Sequence, residues 1–317
     1  MDTSESSILG RLASSDLDVR RLALTEQEEL LEVASYRDLL PLLDDEDATV
    51  RKLTIQLLEE LGDSHALPNL LKAAADPDPD VSSVATAAVR EFRTPESTTA
   101  LLDGVTNPEP KIRAAAILAL RGVKDPRAQV VLAGAAGDPI TEVRREAVLA
   151  LGYLRANDTI PVFQATLKDP DDEVRRLAID ALSQFKLTDA SDFVQMAGDP
   201  AWRVRRQAVN ALSKHPSEAG ELTLLKSLND DRWEVAREAI LALGKVRTPV
   251  SEQLMRFFTH ELADMRIAAA TAAGEIGEAI FVPHLKALLG DPDTGVQKTA
   301  TRALGQIESR TNPRALT

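Results

Sequence analysis

One segment, TEVRREAVLALG at residues 141–152, returns along almost the whole chain. Its lead apolar residue recurs as Val19, Val50, Val81, Ile112, Val143, Val174, Val204, Val235, Met265 and Val296, at intervals of 31 residues except for two of 30. Ten copies therefore occupy nearly all of the 317 residues. A short repeated unit cannot bury an apolar face alone, so neighbouring units must stack. That requirement replaces the one or two globular domains that length alone would suggest.

The lead residue is position 0 of each copy. Position +4 is Ala in nine copies, with Thr54 the exception, and positions +7 and +8 read Ala-Leu in six. Apolar residues at 0, +4, +7 and +8 share one face of an α-helix. Position −5 reads Ser14, Asp45, Asp76, Asn107, Asp138, Asp169, Asp199, Asp230, His260 and Asp291, and Pro follows in six copies. An Asp-Pro step is a helix-start signal, so the spacing predicts position −5 as N-cap and Pro as the first helical residue. A second, more variable amphipathic segment, such as HALPNLLKAAAD at 65–76, lies between the conserved ones. Each copy is thus expected to be helix A, turn, helix B. The fold class is all-α, a right-handed α-solenoid of about ten helix-turn-helix repeats.

The expected organisation is a single solenoid over 1–317. It has a degenerate N-terminal capping repeat at 1–45, a C-terminal capping repeat at 291–309 and a tail at 310–317. Polar terminal repeats block further stacking, which favours a monomer. Composition agrees: aromatic residues are only 3% of the chain, so Ala, Leu, Val and Ile must fill the core. The absence of cysteine excludes disulfides, thiolate metal sites and cysteine nucleophiles. A net charge of −13 argues against nucleic acid as the partner. The opening MDTSESSILG has no apolar leader core, and no apolar run approaches the roughly 18 residues of a membrane span, so a cytoplasmic protein without membrane contact is expected.

The pattern D-P-x-x-x-V-R-x-x-A-x-x-A-L-G, repeated over about 300 residues, resembles the short HEAT-like repeats named after phycobilisome lyases. The resemblance implies a superhelix with helix A convex and helix B concave, and a binding surface on the helix-B side. Some relatives in this broad group are bilin lyase subunits, and others are adaptors or assembly factors. Deoxyhypusine hydroxylase, also HEAT-like, would require His-Glu pairs at positions +2 and +3. Here those positions read Arg145-Glu146, Arg176-Leu177, Arg206-Gln207 and Arg237-Glu238, which excludes that activity.

No catalytic set is visible. His65, His215, His260 and His284 are scattered, with no H-x-x-x-H or H-E-x-x-H spacing. The Asp-rich turns starting at Asp76 and Asp291 lack the Gly and Glu of a calcium loop. Dinucleotide, P-loop and nucleophile-elbow motifs are missing, and Gly152, Gly244, Gly274 and Gly305 are explained by recurring at position +9. No metal, cofactor or catalytic residue is expected.

One constellation rises above this background. Position +1 is Arg in seven copies and is expected to pair with an aspartate of its own or a neighbouring turn. Position +2 lies roughly 200° around the helix from position 0. Four consecutive copies place Arg145, Arg176, Arg206 and Arg237 there, a row of roughly 30 Å at helix–helix spacing. Both tryptophans, Trp202 and Trp233, fall at position −2 of adjacent copies, and Leu149 and Leu241 fall at position +6. Trp and Arg dominate interface hot spots. These eight residues are the expected partner-binding site. The leading functional expectation is a non-enzymatic scaffold or assembly factor that holds an acidic or amphipathic segment of another protein. The alternative is a bilin lyase-type chromophore transferase or its subunit, and a nucleic-acid-binding HEAT-like protein ranks third.

Overall fold

The computed structural model describes residues 7–123, 125–186, 189–248 and 251–311. Among these residues the chain is helical and contains no strand. The conserved segments form ten second helices, labelled here α1 (Leu17–Thr25), α2 (Ala48–Leu61), α3 (Pro79–Val89), α4 (Pro110–Leu120), α5 (Thr141–Leu154), α6 (Asp172–Leu182), α7 (Trp202–Leu212), α8 (Trp233–Val246), α9 (Ala263–Ile276) and α10 (Thr294–Thr311). The variable segments supply the first helices, such as Leu67–Ala73, Pro126–Ala135 and Glu218–Ser227. Residues 312–317 of the expected tail lie outside the described residues.

The chain divides into two compact units, Met1–Val162 and Phe163–Thr317. The first contains α1 to α5 and the second α6 to α10. Within each, second helices pack on their successors, and most also pack on the first helix of their own pair. This is the α-solenoid architecture. The residue at +4, from Ala23 through Thr54 to Ala300, is 0% exposed in every copy. A small side chain there lets helices approach closely. Thr54 satisfies its hydroxyl by donating to the Val50 carbonyl at 2.8 Å. At position +9, a Cβ on Gly244 would lie 2.7 Å from the Cα of Ala272, so any larger residue would push α8 off α9.

The helix start differs from the sequence expectation. The N-cap is position −3, not −5: Asp47, Asp78 and Asp171 sit there in extended backbone and accept from their own helix's N–H groups. Pro at −4 consequently lies in the turn before the helix. The side chain at −5 instead folds over that turn and accepts the backbone N–H of position −3. This bond recurs in all ten copies, from Asp16 N–H to Ser14 Oγ at 3.1 Å to Asp293 N–H to Asp291 Oδ1 at 2.9 Å. It is an Asx-type turn.

The same aspartate receives an arginine from the preceding repeat. Arg20–Asp45, Arg51–Asp76, Arg113–Asp138, Arg175–Asp199, Arg205–Asp230 and Arg266–Asp291 approach to 2.7–2.8 Å, and all twelve side chains are at most 13% exposed. In five of these pairs Nε and Nη2 bind the two carboxylate oxygens side by side. Meanwhile Nη1 donates to the carbonyls of the arginine's own −5 and −4 residues at 2.8–3.3 Å. One guanidinium thus fastens its own turn and the next repeat together, which a lysine point charge could not do.

The sequence obeys this pairing. All seven arginines at +1 are followed by Asp at the next −5 position. Where +1 is Ser82 or Ala236, the facing residue is Asn107 or His260. His260 still closes its turn, accepting from the Leu262 N–H at 3.1 Å, but receives no arginine from α8. Installing Ala236→Arg with His260→Asp should therefore create a rung. A double-mutant cycle by urea denaturation is expected to give a favourable coupling of about 1 kcal/mol. Strictly additive effects would mean that the paired positions do not communicate.

Candidate functional site

Position +2 does not form one uniform cationic row. Arg145 and Leu149 are half-buried on α5, in the first unit. The other six expected site residues belong to the second unit, on α6, α7 and α8. On α6 and α7 the arginine's surroundings differ with the residue at −1 of its own copy. On α6 that residue is Glu173, and it takes Arg176 through two bonds of 2.7 and 2.8 Å. This hydrogen-bonded pair raises the Arg176 pKa further above its ordinary value.

On α7 the residue at −1 is Arg203, so Arg206 loses the acid that would have held it. The three guanidinium groups of Arg203, Arg206 and Arg232 instead surround the Trp202 indole, at 5.1, 5.6 and 5.1 Å from its centroid. Cation–π attraction partly offsets their mutual repulsion. Arg232 also binds Glu234 at 3.0 Å. That bond, helped by the nearby charge of Arg206, holds the Glu234 carboxyl below the usual carboxylate range. Among the described residues, Arg203 and Arg206 have no carboxylate partner.

On α8, Trp233 is 40% exposed, against a half-buried Trp202. Leu241 is half-buried, and Arg237 is half-buried with a buried Nε that has no hydrogen-bond partner among the described residues. Polar bonds tie the same surface together: Gln207 donates to Asp180 at 2.8 Å and Asn210 to Glu238 at 2.7 Å, linking α6 to α7 and α7 to α8. The scaffold under the cluster is therefore fixed, while Arg203 and Arg206 above it have no carboxylate partner among the described residues.

Arg203 and Arg232 were not singled out by the sequence pattern, although a signal existed. Position −1 is acidic in six copies, at Asp18, Asp80, Glu142, Glu173, Glu234 and Asp264, and Arg203 reverses that sign. Arg232 likewise stands at −3, where six copies carry Asp or Glu. Elsewhere, a cavity of about 420 Å³ in the first unit is lined by Arg121, Gln129 and the exposed Tyr153. No helix is long and apolar enough to cross a membrane among the described residues.

A family model described as HEAT repeats matches residues 6–90, 36–121, 67–140, 128–197, 190–261 and 251–317. No curated protein matches the sequence. Among solved structures, an engineered protein is similar at 21% identity and a TM-score of 0.51, with 98% of this chain and 100% of that one covered. YibA of Escherichia coli is similar at 18% identity and a TM-score of 0.60, covering 90% and 96%. Kap95p, solved with RanGDP, is similar at 17% identity and a TM-score of 0.63, covering 97% of this chain and 50% of that one. These likenesses concern the fold. With the helix-pair architecture and a family model matched from residue 6 to residue 317, the chain belongs to the HEAT-repeat family.

Proposed function

We propose that this protein is a non-enzymatic scaffold that holds an acidic or amphipathic segment of a partner protein against the second-helix face. The observation that carries this reading is the cluster on α7 and α8, where Trp202 is ringed by Arg203, Arg206 and Arg232 next to the exposed Trp233. Arginines without an acid partner attract carboxylates, and exposed indole offers apolar area at low entropic cost. Arg176, Arg237 and Leu241 extend the same surface on the flanking helices. Arg145 and Leu149 hold the matching register on α5 of the first unit. Kap95p, a fold relative, is described as binding RanGDP, and use of a HEAT solenoid to hold another protein is consistent with the reading.

The charge distribution gives the mechanism two separable parts. Guanidinium groups steer an acidic segment and set the association rate, which salt screens. Trp233 and Leu241 contribute apolar contact and set the dwell time. The test is capture from source-cell lysate by wild type, by Arg206→Glu/Arg237→Glu, and by Lys226→Glu as a first-helix control, with folding checked by circular dichroism. A partner retained by wild type and the control but lost from the double variant is expected. Its association rate should fall about tenfold between low salt and about 0.5 M salt. Equal recovery by the double variant would remove this surface from the reading.

A further inference from the structure

The α7 terminus carries three unfavourable features that contact with the Trp202 ring offsets only in part. Arg203 and Arg206 lie three apart on one helix, a repulsive like-charge spacing. Both sit in the first turns of α7, where the helix dipole disfavours cations. The N-cap is Ala201, with no side-chain cap, and the next helix likewise starts from an uncapped Arg232. The nearby acids are already engaged: Asp199 with Arg175, Asp230 and Asp231 with Arg205, and Glu234 with Arg232. Two unpaired guanidiniums therefore offer ten N–H donors around one indole, with no acceptor.

A single carboxylate would neutralise only one of these cations. A phosphate monoester carries about −1.5 to −2 charges and three strong acceptor oxygens, and arginine forks match it in paired bonds. A phosphodiester strand fits less well, since the free cations form one cluster on a chain of net charge −13 rather than a track. We propose that the Trp202 cluster recognises a phosphoserine or phosphothreonine within the partner's acidic segment, with Arg203 and Arg206 binding the phosphoryl oxygens and Arg232 bordering them. This rests on the reading of the second-helix face as a partner surface, and it makes that partner's recognition switchable by phosphorylation.

The test uses the full chain with Trp233→Phe, which leaves Trp202 as the only indole. Its fluorescence is followed at constant ionic strength during titration with the peptide Glu-Leu-Glu-X-Glu-Leu-Glu, where X is Ser, Glu or phosphoserine, and with a ten-nucleotide thymidine strand. The phosphoserine peptide should bind saturably and at least about tenfold tighter than the Glu form. Arg203→Gln should weaken both peptides and bring their affinities to within about twofold of each other, with an unchanged circular dichroism spectrum. Equal affinity for Glu and phosphoserine, or a stronger response to the thymidine strand, would overturn the phosphoryl assignment. The acidic-segment reading would survive the first of these outcomes and is tested separately by lysate capture. A lack of response to the phosphoserine peptide would overturn the assignment as well.

Discussion

The bond that six of the +1 arginines make with the next −5 aspartate is the interaction on which the rest of this structure depends. Stacked helices buried through Ala, Leu and Val could slide along one another, because such surfaces are smooth and non-directional. The clamp is directional. It fixes each repeat's turn through the arginine's Nη1 and fixes the next turn through two oxygens of one carboxylate. The aspartate in turn closes its own Asx-type turn and so sets where the next helix begins. Local geometry and inter-repeat register are thereby decided by the same two side chains.

With register fixed in this way, surface positions that serve neither the clamp nor the buried face are free to vary. Position +2 illustrates the point. The same residue type is tied down on α6, where Glu173 faces Arg176, and left unpaired on α7, where Arg203 replaces the acid. Where the charge is reversed, Arg203, Arg206 and Arg232 gather around an indole. The scaffold tolerates it because the Arg175–Asp199 and Arg205–Asp230 clamps on either side keep α7 in place.

The period, the helix-pair fold and the buried face were legible because they recur ten times, so chance substitutions average out. The helix start was misread for a physical reason. Asp-Pro resembles a cap and first helical residue, but here the aspartate is bound to a residue about 25 positions earlier in the chain, at a separation local pattern cannot register. The partner of the +1 arginine was legible only as a nearby aspartate. The co-occurrence of Ala236 with His260, and of Ser82 with Asn107, marks it as the next repeat's residue. At the candidate site, Trp202, Trp233, Arg206 and Arg237 were found by alignment of copies. Arg203 and Arg232 were missed because attention to recurring residues overlooks those that break the recurrence.

The most direct test of the clamp is a double-mutant cycle on Arg175 and Asp199, using Arg175→Met, Asp199→Asn and both together in urea unfolding. Breaking a largely buried pair from one side strands the other charge. Each single change is therefore expected to cost about 2–3 kcal/mol, with the double change costing distinctly less than their sum. Additive losses within about 0.5 kcal/mol would mean that apolar packing alone sets the register, and the account would fail.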